Sequence, residues 1–109
     1  MINVLLIVWI HFVSDFILQS DIMAINKSKN VKYLLLHCFI YSLLFLVFGW
    51  EFSLIAFLSH FIIDFFTSKL TSYLWQKEKR HWFFCTIGFD QALHLTVLFL
   101  VKLFLENRI

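Results

Sequence analysis

The stretch FSLIAFLSHFIIDFFTSKLTSYLW, residues 52–75, is long and apolar enough to cross a bilayer, yet it carries His60 and Asp64 in its interior. A tilted transmembrane helix needs about 20 such residues. Three further apolar runs accompany it, at about 2–20, 32–49 and 82–105, each near or above that length. Backbone polar groups find no water in hydrocarbon, so each run is expected to satisfy its own as a helix. The connections, at 21–32, 49–51 and 76–81, are short enough to force neighbouring helices antiparallel. The expected fold is therefore all-α: an integral membrane four-helix up-down-up-down bundle, one transmembrane domain over residues 1–109.

Composition supports the bilayer. The 109 residues are 61% hydrophobic, 20% aromatic and only 15% charged, against about 25% charged in a soluble domain. A soluble domain this small cannot hide so much apolar surface. Two glycines and no proline leave little loop and nothing to kink a helix. The net charge of +2, with no basic stripe, argues against a nucleic-acid partner. Cys38 and Cys85 have neither CxxC nor zinc-finger spacing and are expected as small buried hydrophobes. The start of the chain lacks a basic n-region and a small-residue cleavage site, so the first run is expected to stay as a helix.

Charge orients the helices. Lys27, Lys29 and Lys32 lie in the first connection, and Lys69, Lys77, Lys79 and Arg80 in or near the third, while the second has no basic residue. The positive-inside rule puts the first and third connections in the cytoplasm and both termini outside. Lys102 and Arg108 oppose this but are fewer. Trp50 marks one interface, and Tyr73, Trp75 and Trp82 the other.

His11-Phe12-Val13-Ser14-Asp15-Phe16 repeats as His60-Phe61-Ile62-Ile63-Asp64-Phe65, and Asp90 with His94 reverses the order on a helix of opposite direction. The i, i+4 spacing puts each His and Asp on one face. Counted from the cytoplasmic ends, Asp15 and His37 lie about six residues deep, Asp64 and Asp90 about eight to ten, and His11, His60 and His94 roughly ten to fourteen. At about 1.5 Å per residue these form adjoining layers of one polar centre.

An aspartate near a helix centre costs about 2.5–3.5 kcal/mol, so three facing lipid cost on the order of 8–10. The carboxylates must turn inward toward histidines, Gln19, Gln91, Tyr41, a cation or water. A buried hydrogen-bond network gluing the helices is one outcome. The other is a metal site with ligands drawn from His11, Asp15, His37, His60, Asp64, Asp90 and His94, whose mixed N/O donors suit a divalent ion, Zn or Mn foremost and Fe besides. Gln19 and Ser68 each follow a His by eight residues and extend the stripe toward the cytoplasm. Asp21, at the end of the first helix, is expected as a cap or a solvated residue. Lys69 is expected to snorkel, to meet an anionic headgroup, or to neutralise Asp64.

At these residues the chain resembles the small bacterial and phage membrane proteins of domain-of-unknown-function family 3307. The resemblance rests on the first His-Phe-x-x-Asp-Phe hexad, Gln19, Asp21-Ile22-Met23-Ala24 with Lys27, and Leu36-His37 with Ile40-Tyr41. It continues in the second hexad with Lys69 and in Asp90-Gln91 with His94, and so spans nearly the whole chain. It implies a multi-pass protein of the bacterial inner membrane. The pattern is also similar in style to inner-membrane metal-dependent hydrolases with intramembrane His and Asp.

The functional expectation is a metal-dependent hydrolase acting on a lipid or membrane-bound substrate. The metal would lower the pKa of a bound water toward about 7, and whichever of Asp15, Asp64 and Asp90 is not a ligand would act as base. One alternative is an ion or proton conductor, in which a homo-oligomer forms the pathway. Another is a metal-free membrane scaffold or interaction protein.

Overall fold

Asn3 accepts the backbone N–H groups of Leu5 and Leu6 at 2.8 and 3.3 Å and so starts the first helix, α1 (Val4–Phe12). The computed structural model describes residues 2–107, and among these every regular element is helical. α1 runs into a π turn (Val13–Ile17), where Leu18 N–H bonds to Val13 O at 2.9 Å. Together they cover about 21 Å at 1.5 Å per residue, less than the roughly 30 Å of hydrocarbon. The first apolar run therefore forms a shorter helix than the expected 2–20.

Ser20 Oγ accepts the N–H of Met23 at 3.2 Å and starts α2 (Asp21–Asn26), so the first connection contains a helix of its own. Asp21 is an exposed first-turn residue of α2 rather than the end of α1. Asn30 caps α3 (Val31–Leu44) through Lys32 N–H at 2.9 Å, and α3 tightens into a 3₁₀ turn (Phe45–Phe48). The second connection is Gly49 alone. Its φ of 107° and ψ of 160° suit glycine, and α4 (Trp50–Gln76) begins at the next residue. Glu78 takes a left-handed φ of 58° in the third connection, and α5 (Arg80–Asn107) follows. The Arg80 guanidinium stacks 3.6 Å from the Trp75 ring and donates to Trp75 O at 2.7 Å, which fastens this turn.

α4 packs against both α3 and α5, α1 against α5, and α2 against α3. Ile2 N–H donates to Glu106 Oε2 at 2.8 Å, so the start of the chain lies at the C-terminal end of α5. The apolar core comprises Ile7, Tyr41, Phe45, Phe52, Ala56, Leu98 and Val101. Phe45 and Phe52 stack at 5.5 Å.

Burial is inverted relative to a water-soluble fold. Among the described residues twelve polar or charged ones are buried against eleven apolar ones, while Trp9, Phe39, Ile62, Phe66, Phe89 and Phe104 are more than half exposed. Three helical segments, Val31–Phe48, Trp50–Gln76 and Arg80–Asn107, are long and apolar enough to cross a membrane, and Val4–Ile17 is apolar but shorter. An apolar exterior around a polar interior points to membrane association.

Candidate metal centre

Tyr41 on α3 and His94 on α5 sandwich the ring of His60 on α4, with centroids 3.9 and 4.1 Å away and planes within 24° of parallel. The sandwich fixes the plane of the fully buried imidazole and aims its Nε2 at α1 and α3. His37 Nε2 meets it there at 3.0 Å. Asp15 Oδ1, carried by the π turn, lies 3.0 Å from His37 Nε2 and 3.5 Å from His60 Nε2. The wider π turn brings Ser14 and Asp15 to the interior together. Asp64 Oδ2 completes the group, 3.7 Å from both Nε2 atoms.

With Asp15 ionised, these three atoms form a triangle that protons on the imidazoles satisfy badly. If both Nε2 atoms carry hydrogen, two N–H bonds oppose each other across 3.0 Å. If only His60 carries one, the lone pair of His37 faces the carboxylate oxygen across 3.0 Å. If only His37 carries one, it must serve Asp15 and His60 at once. A cation relieves all three conflicts. Sides of 3.0, 3.0 and 3.5 Å define a circle of radius about 1.9 Å, just inside the roughly 2.0–2.1 Å of Zn–N and Zn–O bonds. Such an ion would be held by Asp15, His37 and His60, with Asp64 Oδ2, 3.7 Å from both Nε2 atoms, as a further donor beside them.

His11, expected among the ligands, lies beside this triangle, its Nε2 3.7 Å from Asp15 Oδ2. Its Nε2 lies 2.6 Å from Gln91 Oε1, an acceptor, so Nε2 carries the hydrogen, and its Nδ1 accepts from Tyr41 O–H at 2.9 Å. Both ring nitrogens are thus engaged by hydrogen bonds. Gln91 is the hub between helices: its amide N–H₂ donates to Asp15 Oδ2 at 3.0 Å and Asp90 Oδ2 at 3.1 Å. Asp90 Oδ1 also takes the Thr67 hydroxyl at 2.6 Å and lies 3.1 Å from His94 Nε2. Two further triads, His60/Asp64/His94 and Asp15/Asp90/His94, each keep one donor atom per residue within 4.8 Å of the others, so His94 and Asp90 adjoin the triangle.

The counter-charge comes from outside the apolar spans. Lys27, just after α2, sends its ammonium inward to Asp64 Oδ2 at 2.9 Å. Burial works against that charge, but Asp64 and Asp15 hold the ammonium above the usual lysine range. Lys69, for which neutralising Asp64 is one of three expectations, donates to Ser28 O at 3.1 Å and lies over Phe65. Five residues along an α-helix is about 140° around it, so Lys69 cannot share the face of Asp64. Lys27 and Thr67 are the site residues that spacing along the chain did not single out. The only hint of Lys27 was its place in the resemblance.

Below the cluster lies a cavity of ≈ 580 Å³ reached by Asp15, Asp64, Asp90 and Gln91, with Gln19 on its wall. Cys38 is buried as expected, whereas Cys85 is exposed, its Sγ 3.6 Å from His81 Nε2, because it faces outward from the first turns of α5.

No curated protein and no solved structure matches the chain. Residues 2–108 match the family described as Protein of unknown function (DUF3307), and the chain belongs to that family.

Proposed function

We propose that this is an integral membrane protein, a four-helix up-down-up-down bundle. In this reading Asp15, His37, His60 and Asp64 hold a divalent ion that serves hydrolysis of a lipid or other membrane-bound substrate. The observation that carries the reading is the acceptor triangle of Asp15, His37 and His60, which protons satisfy badly and an ion of Zn or Mn size satisfies well. Charge agrees with it. Among the described residues Lys27 is the lysine paired with this carboxylate group, and with Asp15, Asp64 and Asp90 ionised and the histidines neutral a divalent ion supplies the remaining two charges. When bound, such an ion supplies a Lewis acid and an acidified water. Asp90 is then the carboxylate left to act as base, oriented by Thr67 and Gln91, while Tyr41 and Gln91 hold His11 and Asp15 in place.

Elemental analysis of detergent-purified protein tests this, with about one divalent ion per chain expected. His60→Ala and Asp64→Ala should each lose the ion and lower the melting temperature, because an ion that binds only the folded state stabilises it by mass action. Chelator should do the same to wild type and little more to the variants. Asp64→Asn keeps the shape and removes the charge. Wild type without stoichiometric metal, together with an Asp64→Asn variant at least as stable, would leave a helix-gluing network as the better account.

The proposed topology puts both termini outside the inner membrane and the α2 and α4–α5 connections in the cytoplasm. Cysteines substituted at Lys29 and Lys79 should then react with impermeant maleimide only from the cytoplasmic side, and a reporter after Arg108 should be active only outside. A cytoplasmic C-terminus overturns the orientation. Conduction through a single chain is disfavoured because, among the described residues, the titratable cluster stops at Tyr41, beyond which Phe45, Phe52 and Leu98 fill the interior.

A further inference from the structure

The cavity beneath the cluster has a mixed lining. Asp15, Asp64 and Asp90 give it carboxylates, while Lys27, Ser28, Lys29 and Ser72 also line it. Phe16, Ile25, Trp75, Phe83 and Ile87 give it an apolar wall. Its ≈ 580 Å³ falls in the range of small-molecule sites and far exceeds a lone phosphate.

Ser68 on this wall differs from its neighbours. Thr67 Oγ1 lies within hydrogen-bond reach of Ile63 O and Asp90 Oδ1, and Thr71 Oγ1 donates to Ser68 O at 3.1 Å. Ser68 Oγ is buried, with the residue 7% exposed, and has no hydrogen-bond partner. A buried hydroxyl without an acceptor costs free energy until something supplies one. Lys27 is the other group with a partner to exchange. An ion on Asp64 competes for the carboxylate oxygen that Lys27 now holds at 2.9 Å, and displacement leaves that ammonium facing the cavity together with Lys29.

We infer that the cavity binds the phosphate monoester headgroup of an amphiphile. Lys27 and Lys29 supply positive charge, Ser68 O–H donates to a phosphate oxygen, and Phe16, Trp75 and Phe83 flank the start of the apolar chain. The assignment rests on the metal reading, because without an ion the carboxylate charge that Lys27 leaves unbalanced would repel a phosphate.

Calorimetric titration of the full chain in detergent, loaded with manganese, tests it with three probes: dihexanoyl phosphatidate, dihexanoyl phosphatidylcholine and inorganic phosphate. Phosphatidate should bind about tenfold or more tightly than either of the others, and Lys29→Ala and Ser68→Ala should each weaken it about tenfold, the size of one lost charge-assisted hydrogen bond. Both variants should keep the manganese content of wild type. Equal affinity for phosphatidate and phosphatidylcholine removes the headgroup assignment, and equal affinity for inorganic phosphate removes the amphiphile. Undiminished binding in both variants overturns the proposal as well. One manganese per chain without phosphatidate preference overturns the cavity assignment alone, whereas no metal under any loading overturns the reading beneath it.

Discussion

On one side of Tyr41 the helices close over Phe45, Phe52, Ala56 and Leu98, a plug of rings and aliphatic groups with no titratable member. On the other side the same helices enclose His37, His60, Asp15, Asp64, Asp90 and His94, all buried, and open onto a cavity. The first half is held by packing that any apolar surroundings would accept. The second leaves Ser14 Oγ, His60 Nδ1 and Ser68 Oγ buried without partners and crowds acceptors around one point. A chain that only needed to hold its helices together could have continued the plug. On the proposed reading one half serves stability and the other ligand binding, and the two halves should respond differently to substitution.

The largest effect is expected in the plug. Phe52 is fully buried and packs on Phe45 and Phe48 with ring centroids 5.5 and 5.0 Å away. Phe52→Ala should lower unfolding free energy in detergent by about 3–5 kcal/mol, through lost contacts and the cavity left behind. The loss should be the same with metal or chelator, and metal content should not change. A Phe52→Ala protein that folds but has lost its metal would show that the halves are not separable.

In the polar half the loss should be conditional. Lys27→Met removes the ammonium at Asp64 and leaves a buried carboxylate unpaired, which costs about 3 kcal/mol unless Asp64 takes up a proton. That loss should appear in chelator and largely disappear with manganese, because an ion provides the missing charge and no longer competes with Lys27. Denaturant titrations of both proteins in both conditions give the four values needed. Equal destabilisation with and without metal would mean that Asp64 is not a ligand.

How much of this was legible in the sequence depends on the range of the interaction that fixes each part. α3, α4 and α5 follow from apolar length alone, and the two hexads place a His and an Asp on one face of a helix. α2 is six residues with little apolar period, and its start rests on one hydrogen bond from Met23 N–H to Ser20, too weak a signal to separate from a loop. The early end of α1 lacks the glycine or proline that would have marked it. The hydrogen bonds that hold His11 beside the Asp15/His37/His60 triangle come from Tyr41 and Gln91, 30 and 80 residues away, and no spacing along one helix encodes that. Lys27 reads as an orienting charge in the sequence because only the return of the connection over the bundle end brings it to Asp64.

Tyr41 belongs to both halves, and it gives the smallest and most discriminating effect. Its ring packs on Phe45 at 5.1 Å and stacks on His60 at 3.9 Å, while its hydroxyl donates to His11 Nδ1 at 2.9 Å. Tyr41→Phe keeps both ring contacts and removes the single hydrogen bond, leaving a buried imidazole nitrogen without a donor. That should cost about 1–2 kcal/mol of stability. Because His11 is argued to orient Asp15 through Gln91 rather than to bind the ion, metal should remain at one per chain in Tyr41→Phe, with affinity reduced about tenfold, as when an outer hydrogen-bond partner of a ligand is removed. Unchanged affinity would separate His11 and Tyr41 from the metal centre and make them part of the plug's packing. Complete loss of metal would return His11 to the ligand set, with Tyr41 as the partner that fixes its ring.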